Sequence, residues 1–138
     1  MARARAARGR ARHLDGKPDG RLAQSVLIGQ ESAEGFQEVL EEHRAHFGGL
    51  RGVEGAMLED AASLWWRMRR ARAVETEWLE QELEQQDAGD ERTRIANAFA
   101  KLTDSSKLLR LRRYESGVQD MYLQSMKALR SLQCRGWA

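Results

Sequence analysis

The chain has one cysteine, Cys134, and one proline, Pro18, in 138 residues. A lone cysteine excludes an intrachain disulfide and points to a reducing, cytosolic setting. With no proline after position 18, nothing of that kind breaks a helix anywhere in the rest of the chain. Long apolar runs are missing too. None approaches the roughly 20 residues that span a bilayer, so no membrane partner is expected. Aromatic residues make up only 7%. Missing as well are a phosphate-binding glycine loop, an ordered Ser/His/Asp set and any strand-like alternation over a useful length. These absences argue against an enzyme and against bound cofactors.

The chain is rich in charge, 32% of residues, arranged in blocks that nearly cancel to a net of +2. Residues 1–25 carry Arg3, Arg5, Arg8, Arg10, Arg12, Lys17 and Arg21 against Asp15 and Asp19. Residues 75–91 carry eight acids and no base, and residues 104–138 return to a basic excess. Segregation of this kind suits a polyanion partner, or charge-matched pairing between elements or chains.

Residues 1–21 read as a flexible basic arm, punctuated by Gly9, Gly16, Pro18 and Gly20 and almost devoid of large apolar residues. The arginine-rich start lacks the apolar core of a secretory signal. Its Arg/Ala make-up matches both an organellar transit peptide and the arm of a protein from a GC-rich bacterial genome; its low serine content favours the second. Ser25-Val26-Leu27-Ile28-Gly29 reads as a brief extended segment. The division falls after residue 24, with a basic arm over 1–24 and a helical domain over 25–138.

Within that domain Ser32 is placed to cap a helix over about 32–47, whose Phe36, Val39, Leu40, His43 and Phe47 share one face. Gly48-Gly49 ends it. A second helix runs from about Val53 to Gln86, its apolar residues in coiled-coil-like steps of three and four. At about 1.5 Å per residue it is a rod of roughly 45–50 Å. Asp87-Ala88-Gly89-Asp90 makes the turn. The last helix begins near Glu91, either unbroken to Arg135 or recapped at Asp104 or Ser105. The fold class is all-α: a long antiparallel hairpin or three-helix bundle.

The densest chemistry lies at Trp65-Trp66-Arg67-Met68-Arg69-Arg70-Ala71-Arg72, with Glu75 after it, and at Arg110-Leu111-Arg112-Arg113-Tyr114-Glu115. A turn near residue 88 sets residue 67 opposite about 109, basic beside basic. Either both clusters face solvent as one positive band, or Glu75 and Glu115 lie between them as counter-charges. Adjacent tryptophans point about 100° apart on a helix, so both are buried only where helices pack on two sides. His43 and His46 have the spacing of a metal pair but no evident third ligand, so no metal site is expected.

Several of these segments together resemble an uncharacterised family of helical bacterial proteins. Its members join an apolar run, an acidic helix, a Trp-Arg-x-Arg-Arg helix with a trailing Glu, and an Arg-Tyr-Glu helix ending in Arg-Ala-Leu-x-x-Leu. Here Ser25–Glu31, Trp66–Arg70 with Glu75, Arg94–Phe99, Arg113–Glu115 and Lys127–Leu132 match in order, over about residues 19–133. The arm departs from the family's Asn-Ala-x-Lys-His-Gly-Leu element, with Asp19-Gly20-Arg21-Leu22 standing where His-Gly-Leu would be. The resemblance implies fold and carries no activity.

The function expected from these residues is a non-enzymatic, nucleic-acid-binding accessory protein. Arg3, Arg5, Arg8, Arg10, Arg12, Lys17 and Arg21 would hold DNA or RNA phosphates, with Arg67, Arg69, Arg70, Arg110, Arg112 and Arg113 as a second band. The alternative is a helical module that binds a protein partner or forms a homo-oligomer, with no nucleic-acid role.

Overall fold

The computed structural model describes residues 20–135, with side chains placed from residue 22. The arm residues 1–19 and the side chain of Arg21 lie outside what is described. Five helices follow in order: α1 Gly20–Val26, α2 Ala33–Phe47, α3 Gly52–Glu84, α4 Glu91–Asp104 and α5 Lys107–Arg135. Among the described residues there is no strand. No described helix is long and apolar enough to cross a membrane.

The segment read as extended is not so. Ser25 and Val26 close a helical turn, and the Leu27 amide donates to the Ala23 carbonyl at 2.9 Å. Leu22, Ala23 and Val26 fall three and four apart, a helical spacing too short to recognise in sequence. Ala23 and Val26 are buried in the main core, so the helical domain takes in residues 20–24 that composition assigned to the arm.

The start of α2 follows its sequence signal, with Ser32 Oγ accepting from the Gly35 amide at 3.0 Å. Helix α3 is the spine. At 33 residues it is about 50 Å long. All four other helices pack on it, α5 most extensively. The main core gathers Phe36, Val39, Leu40 and Phe47 of α2 with Leu58, Ala61, Ala62 and Trp66 of α3, and Leu129 of α5 closes it. Met68, Ala71, Ala98, Leu102, Leu108 and Val118 are also buried but outside that cluster, along the distal half of α3 with α4 and α5.

The last helical region is broken. Asp90 caps α4 through the Thr93 amide at 3.1 Å, and α4 ends at Asp104. The Ser105 hydroxyl donates to the Leu102 carbonyl at 2.8 Å, and Ser106 adopts a left-handed φ of 63° before α5 begins. An L-residue with a Cβ resists that conformation, whereas glycine accepts it. Ser106→Gly is therefore expected to raise stability by about 1 kcal/mol. A thermal melt that is unchanged or lower would contradict this.

The break displaces the expected register. Arg94 donates to the Leu83 carbonyl at 2.9 Å, and Lys101 reaches Glu82 at 3.3 Å. Two turns of α4 thus stay over the same end of α3 instead of descending along it. Only α5 makes the descent, so Glu75 meets Arg112 and Arg72 meets Glu115. These two pairs also fix α3 and α5 as antiparallel.

Candidate nucleic-acid interface

The tryptophans point to two sides of α3. Trp66 is buried and meets Phe36 of α2 edge-on at 5.6 Å. Trp65 is half-buried and lies 5.3 Å from Tyr122 of α5. Helices on two flanks cover both, as the 100° step required, with Trp66 buried and Trp65 half-buried.

His43 joins this cluster. Its Nδ1 lies 2.8 Å from the Val39 carbonyl, which can only accept, so Nδ1 carries the proton. In the neutral ring Nε2 then accepts from the Tyr122 hydroxyl at 3.1 Å. Burial raises the Tyr122 pKa against the opposing charge of Arg130. His46 is exposed, so the two histidines do not share a site.

The arginines separate into two groups. Arg70 reaches Glu31 from Nε at 3.1–3.2 Å and from a terminal nitrogen at 2.6 Å, and donates to the Val26 carbonyl at 2.5 Å. The Glu31 carboxylate also accepts from the Ile28 amide at 2.7 Å. Burial alone would raise the Glu31 pKa. The Arg70 hydrogen bonds, the Ile28 amide and the Arg70 charge outweigh it and hold the carboxyl below its usual 4.5. The Trp66 indole N–H adds a weaker pull from outside good hydrogen-bond geometry. Arg72 pairs with Glu115 at 3.1 Å and Arg112 with Glu75 at 3.0 Å. Of the two arrangements open in the sequence, the structure combines both: Glu75 and Glu115 are counter-charges between the clusters, while Arg72 and Arg112 stay more than half exposed.

Arg69, Arg110 and Arg113 form the second group. All three are exposed, and among the described residues none has an acidic partner. Arg69 lies over the Trp66 ring at 5.4 Å. Arg67 is half-buried in a groove between α3 and α5. The thirteen candidate residues therefore divide. Arg3, Arg5, Arg8, Arg10, Arg12 and Lys17 lie outside the described residues, as does the side chain of Arg21. Arg70 and Arg112 are committed to acids, Arg67 is half-buried in the groove, and Arg69, Arg110 and Arg113 are exposed with no acidic partner among the described residues.

Sequence reasoning anticipated Glu75 and Glu115 but missed Glu31, which lies 39 residues from Arg70 with no local signal to connect them. It also missed Lys107 over the Trp78 ring at 4.6 Å, and the Arg44–Glu59 pair at 3.4 Å. Glu31 pairs with Arg70, Glu75 with Arg112 and Glu115 with Arg72.

Among the described residues, no group of three or more His, Cys, Asp or Glu is gathered as a metal ion would require. Comparison with protein-family models, with curated proteins and with solved structures gave no match to this chain.

Proposed function

We propose that the chain is a non-enzymatic accessory protein that binds nucleic acid mainly through its arm. The observation that carries this reading is how charge is divided. The first 19 residues hold six of the 23 Lys and Arg but two of the 21 Asp and Glu, which leaves the rest of the chain slightly acidic. Within the helical domain Arg70, Arg72 and Arg112 are neutralised by Glu31, Glu115 and Glu75. Positive charge in excess is thus concentrated before α1, where five arginines fall within residues 3–12. Such a segment neutralises phosphates and releases counterions without a preformed pocket. Arg69, Arg110 and Arg113 supply a weaker second contact.

Fluorescence anisotropy with generic duplex DNA and single-stranded RNA, over a salt series, tests the reading. With about six phosphates neutralised, the logarithm of the affinity for DNA should fall with a slope of roughly −5 against the logarithm of salt. Glutamine at the five arginines of residues 3–12, in the full-length chain, should remove most of that slope. Glutamine at Arg110 and Arg113 should reduce it by one or two. Binding that ignores the arm substitutions would reject the arm as the contact, and absence of binding at low salt would reject the function.

A further inference from the structure

Beside α1, between α3 and α5, lies an open groove of about 530 Å³. Leu22, Met57, Leu64 and Met121 give it apolar walls. Among the described elements along it α1 is short, seven residues against 33 in α3 and 29 in α5. Among the described residues the groove holds two charged ones, Asp60 and Arg67, both on α3. Neither has an ion pair or hydrogen bond to another described side chain. That absence matters for Arg67, which is half-buried. A guanidinium that has lost part of its water without gaining an acid is poorly placed in a single chain.

Met57, Asp60, Leu64 and Arg67 follow one another by three, four and three residues, the stripe with which one helix seats against another. Across the groove Met121, Gln124 and Ala128 repeat the three–four spacing on α5. Two antiparallel helices with facing stripes form half of a four-helix arrangement.

We propose that a second copy of this chain closes the groove, with α3 packed antiparallel on α3 about a twofold axis. Such a contact requires a surface that complements itself. Asp60 and Arg67 are two turns apart, about 10.5 Å along the helix. In an antiparallel pair centred between them, Asp60 of each copy meets Arg67 of the other, and Leu64 lies beside the axis. A parallel pair in register would set Arg67 on Arg67. The charges thus select the direction of packing as well as the partner, and the free guanidinium gains the acid it lacks.

Sedimentation velocity on the full-length protein, freed of nucleic acid and run over a concentration series, tests this. The expected result is a species of twice the 15.7 kDa chain mass that dissociates on dilution. Arg67→Glu sets acid against acid, Asp60→Arg sets base against base, and each should weaken association by roughly tenfold or more. The double variant Asp60→Arg with Arg67→Glu should restore it. Circular dichroism verifies that each variant keeps its helix content, and Leu64→Gln gives a second, uncharged disruption. A monomer at every concentration overturns the proposal. So does a dimer indifferent to both reversals, or one that the double variant fails to rescue. A dimer lost on glutamine substitution of the arm arginines would assign association to the arm and also overturn it.

Discussion

Leu129→Ala is expected to be among the most destabilising single changes in the helical domain, lowering stability by about 3–5 kcal/mol. Leu129 is fully buried and is the one α5 residue in the main cluster of buried side chains. Its side chain closes a core supplied otherwise by α1, α2 and α3, and Tyr122 and Met126 pack only partly buried beside it. Truncation removes buried methyl groups and leaves a cavity among residues of several helices, which cannot all move in to fill it. For a domain of this size the midpoint of thermal unfolding should fall by roughly 10–20 °C. Leu123→Ala is the control, since Leu123 on the same helix is 56% exposed and should shift stability by less than about 0.5 kcal/mol. Equal effects at the two positions would mean that α5 is not seated as described.

Arg70→Ala is expected to have the next largest effect, about 2–3 kcal/mol. The substitution removes the hydrogen bonds to Glu31 and the Val26 carbonyl together. It leaves a carboxylate, about one-fifth exposed, beside an unpaired carbonyl, and stranding such groups is worse than never having placed them there. Glu31→Gln should be milder, because the amide still accepts from Arg70 and from the Ile28 amide. The two effects should not add, since both act on one interaction.

Acidity provides an independent measure of the same contact. The folded state holds the Glu31 pKa below its usual 4.5. Its ionised form therefore contributes stability that is present above that value and lost as pH falls through the lower, folded one. Urea denaturation of the parent chain should show this loss at acid pH. With Arg70→Ala the loss should be smaller, so the gap between parent and variant narrows as pH falls. A gap that stays constant down to pH 3 would show that the charge on Glu31 contributes nothing.

How far the fold was legible depends on how local each signal is. Helix α2 and the long α3 follow from apolar spacing, the Ser32 cap and the Gly48-Gly49 stop, all contained within a few turns. Helix α1 was misread because seven residues give too few repeats for a period to emerge, and its helicity comes from burying Ala23 and Val26 against other elements. The break at Asp104 was visible as a choice between two outcomes. Thr103, Asp104, Ser105 and Ser106 suit a cap and a polar face equally well, and only packing decides. The interface was legible in part for the same reason. Glu75 lies within a turn of Arg72, and Glu115 within a turn of Arg112, so each was legible as part of the charged waist, although each pairs with the arginine of the opposite helix. Glu31 has no such neighbour, and with it the commitment of Arg70 was hidden.

The placement of α4 has a consequence for how this architecture tolerates change. The Glu75–Arg112 and Arg72–Glu115 pairs depend on where α5 starts against α3. They do not depend on how many residues the chain uses to travel from Glu84 to Lys107. Because α4 crosses the end of α3 instead of extending the hairpin, the tip is a spacer whose length is uncoupled from the register below it. Lengthening or shortening that crossing segment is therefore expected to leave the Glu75–Arg112 and Arg72–Glu115 pairs in place.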